Sequence, residues 1–102
     1  MLTSVDADVI RVLGDPLRLK IVTLLARETL CTTHLVEETG AKQTNLSNHM
    51  KVLREAGIVE TEPCGRFTYY RLRPEVLAGL SAQFAELAAL ARAAAENKRA
   101  CP

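Results

Sequence analysis

No stretch of this chain approaches the ~20 consecutive apolar residues of a membrane span. Its opening, MLTSVDADVIRV, places no basic cluster ahead of an apolar run. Neither a membrane partner nor a secretory signal is expected, and the cytoplasm is the expected compartment. Cysteine is sparse: Cys31, Cys64 and Cys101 lie far apart and form no CxxC pair. An odd number of scattered thiols in such a compartment excludes a disulfide framework and leaves free thiols to be explained. There are only two histidines, His34 and His49. Cys31 and His34 are close in sequence, but no third orienting group or oxyanion pocket accompanies them, so an enzyme is not expected. Charge of one sign is nearly lacking too, with 13 basic against 12 acidic residues and a formal net charge of +1. Bulk charge therefore does not announce a nucleic-acid partner.

What is present reads as one globular domain over residues 1–102, with 48% apolar and 25% charged residues. A chain of this size builds only a modest core, which a dimer interface would reinforce. The charge is unevenly spread: residues 1–41 carry four basic and six acidic groups, whereas residues 42–73 carry six basic and three acidic, net +3. A positive field is thus concentrated on one segment, and an excess this small implies salt-sensitive binding shared between two subunits.

That segment reads as a helix followed at once by a hairpin. Leu46, Met50 and Leu53 recur at i, i+4 and i+7, the apolar stripe of a helix from about Gln43 to Ala56. Its polar face offers Gln43, Thr44, Asn45, Ser47, Asn48, His49 and Lys51, groups able to meet base edges and phosphates. Gly57 stops the helix, Ile58 and Val59 open a strand, Pro63, Cys64 and Gly65 make the turn, and Phe67 to Leu72 returns as a second strand. Arg66 and Arg71 make this hairpin basic. Helix and basic hairpin together are a winged helix-turn-helix signature whose expected partner is double-stranded operator DNA.

The rest of the chain supports that signature. Val5, Val9, Val12 and Leu13 predict a first helix that stops at Gly14, and Asp15 and Pro16 open a second with Leu17, Ile21, Leu24 and Leu25 buried. Arg18 and Lys20 fall on its polar side, as a solvated face or as phosphate contacts. Thr32 or Thr33 caps a short third helix through Glu38, which Gly40 ends, so that this helix and the reader form the helix-turn-helix. From Pro74 to about Lys98 a last helix repeats Leu77, Leu80, Phe84, Leu87, Ala91 and Ala94 at spacings of three and four. Such a stripe exceeds what a small core uses and predicts pairing in a homodimer, with packing on the first helix of the same subunit as the alternative. The fold class is mainly α with a β-hairpin wing, order α-α-α-α-β-β-α, dimeric.

The segments LGDPLRLKIVTLL (13–25), TLCTTHLVEETG (29–40), NLSNHMKVLREAGIV (45–59) and GRFTYYRL (65–72) together resemble the ArsR/SmtB family of small dimeric winged-helix repressors that sense metals and metalloids. The resemblance implies a repressor relieved by an inducer. Members that sense arsenite or soft metals often carry a box of the form LCVCDL; here that place reads Leu30-Cys31-Thr32-Thr33-His34-Leu35, keeping the first cysteine alone. A zinc site of carboxylates and histidines on the last helix is not supported, because neither histidine lies there.

Thiolates select thiophilic ions, so the implied inducers are As(III) and Sb(III), with Cd(II) or Pb(II) as alternatives. Three sulfurs sharing one ion lie within roughly 4 Å of each other. Cys64, five strand residues past the reader, is about 16 Å away along the chain at ~3.3 Å per residue. Cys31 with Cys101 is therefore the expected pair, and Cys64 the least certain third. Two rivals stay open: a repressor of the same fold that responds to thiol oxidation, and a winged helix used for protein contacts without DNA.

Overall fold

The computed structural model describes residues 6–102, so Val5 of the expected first stripe lies outside the described residues. The first helix, α1 (Ala7–Leu13), opens where the Asp6 carboxylate accepts the N–H groups of Asp8 and Val9, both at 3.1 Å. Asp15 does the same for α2 (Pro16–Leu25), accepting from Leu17 at 2.9 Å and Arg18 at 3.1 Å, with Pro16 in the first turn. Ile21, Val22 and Leu25 form the buried face of α2, while Leu17 and Leu24 are only half-buried. Val22 is the core residue that periodicity did not single out.

The chain then departs from the expected order. Leu30–Cys31 forms a short strand, β1, before α3 (Thr32–Thr39) and α4 (Gln43–Glu55). The hairpin strands β2 (Val59–Cys64) and β3 (Phe67–Leu72) follow, and β1 joins them in an antiparallel sheet of order β1-β3-β2, Leu30 facing Tyr70 and Cys31 facing Tyr69. Two residues are too few to show an alternating pattern, and their pairing depends on a strand almost forty residues downstream. Two more boundaries are corrected. Cys31, not Thr32 or Thr33, stands at the N-cap of α3. Pro63 and Cys64 belong to β2, and the turn is Gly65-Arg66. With Gly65 at φ 62° and Arg66 at negative φ, the loop has the sign pattern of a type II′ turn, which matches strand twist. Pro63 is tolerated because β2 is an edge strand.

Leu35, Leu46, Leu53 and Ile58 are fully buried at the centre of the core, with Met50 and Val12 beside them. The stripe on α4 thus faces inward and turns its polar residues out. Between α3 and α4, Gly40 adopts φ 73°, and the Thr39 hydroxyl, itself bonded to the Leu35 carbonyl at 2.6 Å, accepts the Ala41 N–H at 3.2 Å.

The last helix, α5 (Pro74–Ala93), ends five residues before the expected Lys98. Its Val76, Leu77 and Leu80 pack on the core, whereas Phe84, Leu87 and Leu90 stand 48%, 44% and 44% exposed. By length and composition this helix, of mean hydropathy 1.2 over its most apolar window, is sufficient to cross a membrane. Single polar residues interrupt its mostly alanine and leucine sequence, so no unbroken apolar run marks it.

Candidate DNA interface and thiol site

The outward face of α4 carries Gln43, Thr44, Asn45, Ser47, Asn48 and Lys51, all exposed. Its N-terminal turn leaves backbone N–H groups free for an anion, and no side chain caps them. Gly57, at φ 75°, turns the chain from this helix into β2, and the Ile58 carbonyl accepts the Arg73 N–H at 2.9 Å, closing the base of the wing. At the wing's tip Arg66 is exposed beside Phe67, itself 56% exposed.

The basic excess of this segment is not all available. Arg71 is held by Glu60 at 3.1 Å and Glu62 at 3.8 Å, cross-strand partners on β2, and Arg73 lies 3.5 Å from Glu75. These exposed pairs add little stability, but they occupy two of the six cations. Among the described residues no ion pair engages Lys42, Lys51, Arg54 or Arg66.

His49 sits apart from the other polar residues of α4. It is half-buried on the flank towards α2, with Nδ1 at 3.1 Å from Arg18 Nη1. Arg18 is therefore not part of a freely solvated face, while Lys20 is exposed. The Arg18 Nε donates to the Val12 carbonyl at 2.6 Å, closing the end of α1. In the sequence Arg18 is marked by its place on the polar side of α2, three residues after a helix cap, and nothing there points to His49. The Arg18 backbone N–H, then that of Leu17, with a lesser contribution from the nearby Arg18 guanidinium, hold the Asp15 carboxyl below the usual carboxylate range against an opposing effect of burial.

Cys31 is buried, 4% exposed, at the junction of β1 and α3. His34, three residues on, turns back so that its Nδ1 accepts the Cys31 N–H at 3.2 Å and lies 3.4 Å from Cys31 Sγ. Histidine thus plays the part that Glu or Gln has in a capping box, and its ring is supported edge-on by Tyr69 at 5.9 Å. Sulfur and nitrogen at this separation can take adjacent positions around one soft ion once Nδ1 releases the Cys31 N–H. They are two donors, not three, and among the described residues no group of three His, Cys, Asp or Glu side chains gathers for a metal.

The other thiols lie elsewhere. Cys31 pairs with Tyr69, Tyr69 with Glu62, and Cys64 is two residues beyond Glu62. Two strand spacings and two residues put Cys31 and Cys64 roughly 12 Å apart at the backbone. Cys64 is exposed in its own cleft with Thr29, Glu62, Pro63 and Tyr69. Cys101 is exposed in the irregular segment after α5. What the fold does bring to Cys31 is the start of α4 and the tip of the hairpin. A cleft of about 300 Å³ is lined by Cys31, Thr32 and Thr33, by Gln43 at the start of the reader, and by Arg66, Phe67, Thr68 and Tyr70 of the wing.

Comparison with known proteins agrees with this fold. Residues 15–61 match the family described as bacterial regulatory protein, arsR family. The arsenic resistance transcriptional regulator ArsR1 of Pseudomonas putida is 41% identical over 69 residues, 67% of this chain and 54% of that protein. The chain thus spans about half the length of that curated relative. Among solved structures, a possible transcriptional regulator for arsenical resistance is 34% identical with a TM-score of 0.72, over 92% of this chain and 100% of that one. The homodimeric winged helix-turn-helix DNA-binding domain of a possible ArsR-family regulator from Mycobacterium bovis is 28% identical with a TM-score of 0.67, over 92% of this chain and 86% of that one.

Proposed function

This chain belongs to the arsR family of bacterial regulatory proteins, and on that premise we propose that it is a homodimeric repressor which holds operator DNA with α4 and the wing and releases it when arsenite or antimonite is captured through Cys31. Its relatives and its fold are those of transcriptional regulators, not enzymes. The observation that carries the reading is the cleft in which Cys31 shares walls with Gln43 and Arg66. A ligand at the thiol acts on the surface that meets DNA. The names of the arsenic-resistance relatives support the choice of metalloid.

In this reading two α4 helices enter successive major grooves about 34 Å apart. Gln43, Thr44, Asn45, Ser47, Asn48 and Lys51 face the bases and phosphates, and Arg66 adds a phosphate contact from the wing. Arg71, engaged by Glu60 and Glu62, contributes less. The exposed Phe84, Leu87 and Leu90 of α5 cover one another across the two-fold axis with Ala91 beside them, while Leu77 and Leu80, expected in the same interface, pack on the core of their own subunit. Cys31 supplies the first thiolate, and Cys101 together with a cysteine of the second protomer completes a set of three. His34 beside Cys31 gives a mixed sulfur and nitrogen pair that also accepts Cd(II) or Pb(II). Release requires the ion to favour the unbound geometry by about 1–3 kcal/mol, or roughly 5- to 150-fold in affinity.

A second reading, release on thiol oxidation, is favoured by one observation: the described residues of a protomer offer Cys31 and His34 without a third ligand. One experiment separates the two. A duplex spanning the region immediately upstream of the reading frame is bound to the protein under reducing conditions and titrated with arsenite, antimonite, cadmium, lead and zinc, and separately with peroxide after the reductant is removed, for wild type and each Cys→Ser variant. The metalloid reading expects release by arsenite or antimonite that is lost in Cys31→Ser and in one other variant. Release by peroxide alone replaces it with the redox reading, and absence of any DNA binding leaves a protein-contact module.

A further inference from the structure

An arginine guanidinium only donates hydrogen bonds. For Arg18 Nη1 to hydrogen-bond His49 Nδ1, 3.1 Å away, that nitrogen must be the acceptor and the ring proton must sit on Nε2. The same guanidinium donates through Nε to the Val12 carbonyl at 2.6 Å, one of the last carbonyls of α1, which lack partners within the helix. One side chain of α2 thus holds the end of α1 and the flank of α4 at once.

The position of His49 on α4 shows what this tie does. Leu46, three residues before it, and Leu53, four after it, are fully buried, so His49 borders the seam on which the reader is seated. The exposed Ser47, Asn48 and Lys51 lie around the helix from it. An apolar stripe sets which face of a helix points inward, but packing without direction allows small rotations; a hydrogen bond at the edge of the stripe removes that freedom. Arg18 is in turn oriented from its own backbone, where its N–H is held by the Asp15 carboxylate at 3.1 Å.

We propose that Arg18 is a positioning residue for DNA reading: by donating to a neutral His49 it fixes the rotation of α4 against the α1–α2 corner, and His49 serves as its acceptor, not as a cation for phosphate. The inference rests on the DNA-binding reading above and reassigns a histidine that the sequence alone placed among the DNA contacts.

Two measurements test it on the full chain. Long-range ¹H–¹⁵N spectra of the histidine-labelled protein at neutral pH read the tautomer of His49. A single Nε2–H form that is lost in Arg18→Gln, with amide shifts along α4 between Gln43 and Glu55, is expected. An Nδ1–H or imidazolium ring in wild type, or shifts confined to α2, overturns the proposal, and this holds whether or not DNA is bound. Binding to the upstream duplex supplies the functional arm. His49→Lys adds a positive charge to a DNA-reading helix yet is expected to weaken binding on the order of tenfold, because Arg18 then faces a cation. His49→Gln keeps an acceptor for Arg18 and is expected to rescue binding to within about threefold of wild type. Tighter binding by His49→Lys than by His49→Gln sinks the positioning role in favour of a phosphate contact. Failure of wild type to bind any DNA sinks the functional reading instead, and the spectra still judge the tie.

Discussion

Asp15 shows how much one side chain can organise. It caps α2 through two backbone N–H groups, one of which orients Arg18, and its folded carboxyl titrates below the usual range. A carboxyl depressed on folding stabilises the protein above its unfolded value, about 3.9, and that contribution disappears as pH falls through the lower folded value. Asp15→Ala is therefore expected to lower the thermal midpoint by a few degrees at neutral pH. The gap from wild type should close below the folded value, where both lack the charge. Melting curves at neutral and strongly acid pH check this, and a gap that persists unchanged in acid would refute the charged cap. Cys31 and His34 present a similar economy. A histidine in capping-box position holds the start of α3 and stands beside the thiol that gives the site its chemistry.

The reader element depends on a short stripe. Leu46, Met50 and Leu53 are at most 1% exposed, so the polar face of α4 is presented outward by burial behind it. Leu46→Ala opens a cavity beneath the N-terminal half of the helix and is expected to cost about 2–5 kcal/mol, the usual range for buried leucine truncation. That is a large part of the total for a domain of this size. Urea unfolding checks it through a lower midpoint at unchanged slope; a loss under about 1 kcal/mol would mean that the site collapses without consequence. The wing's contribution is set by pairing. Arg71 is neutralised across the strands by Glu60 and Glu62, which leaves the turn residue Arg66 as the basic group of the tip.

The whole molecule is too long for a lone compact domain. Its radius of gyration is 17.7 Å with extents of 62 × 25 × 21 Å, against about 13 Å for a compact chain of this length. The first half of α5 docks on the core while its second half leaves Phe84, Leu87 and Leu90 open. A second copy of the chain covers that face in the proposed homodimer. Phe84→Glu with Leu87→Lys is expected to convert dimer to monomer in analytical ultracentrifugation. It is also expected to weaken operator binding by at least about tenfold, since each subunit then binds a half-site alone. A double variant that stays dimeric places the interface elsewhere.

The sequence by itself determined the elements that repeat or cap locally. Residues 46, 50 and 53 fixed the inward face of the reader, Asp15-Pro16 fixed the start of α2, Phe67 to Leu72 fixed the returning strand, and the quoted family segments fixed the winged helix-turn-helix. Each rests on contacts within a few residues, where spacing and geometry are the same thing. Only tertiary structure decided the rest. Leu30–Cys31 became a strand because β3 offered it an edge, Cys31 met Gln43 and Arg66 because three elements converge on one cleft, and Arg18 found His49 thirty-one residues away. Such pairings join groups whose separation in sequence carries no period, so only the folded chain brings them within hydrogen-bond reach.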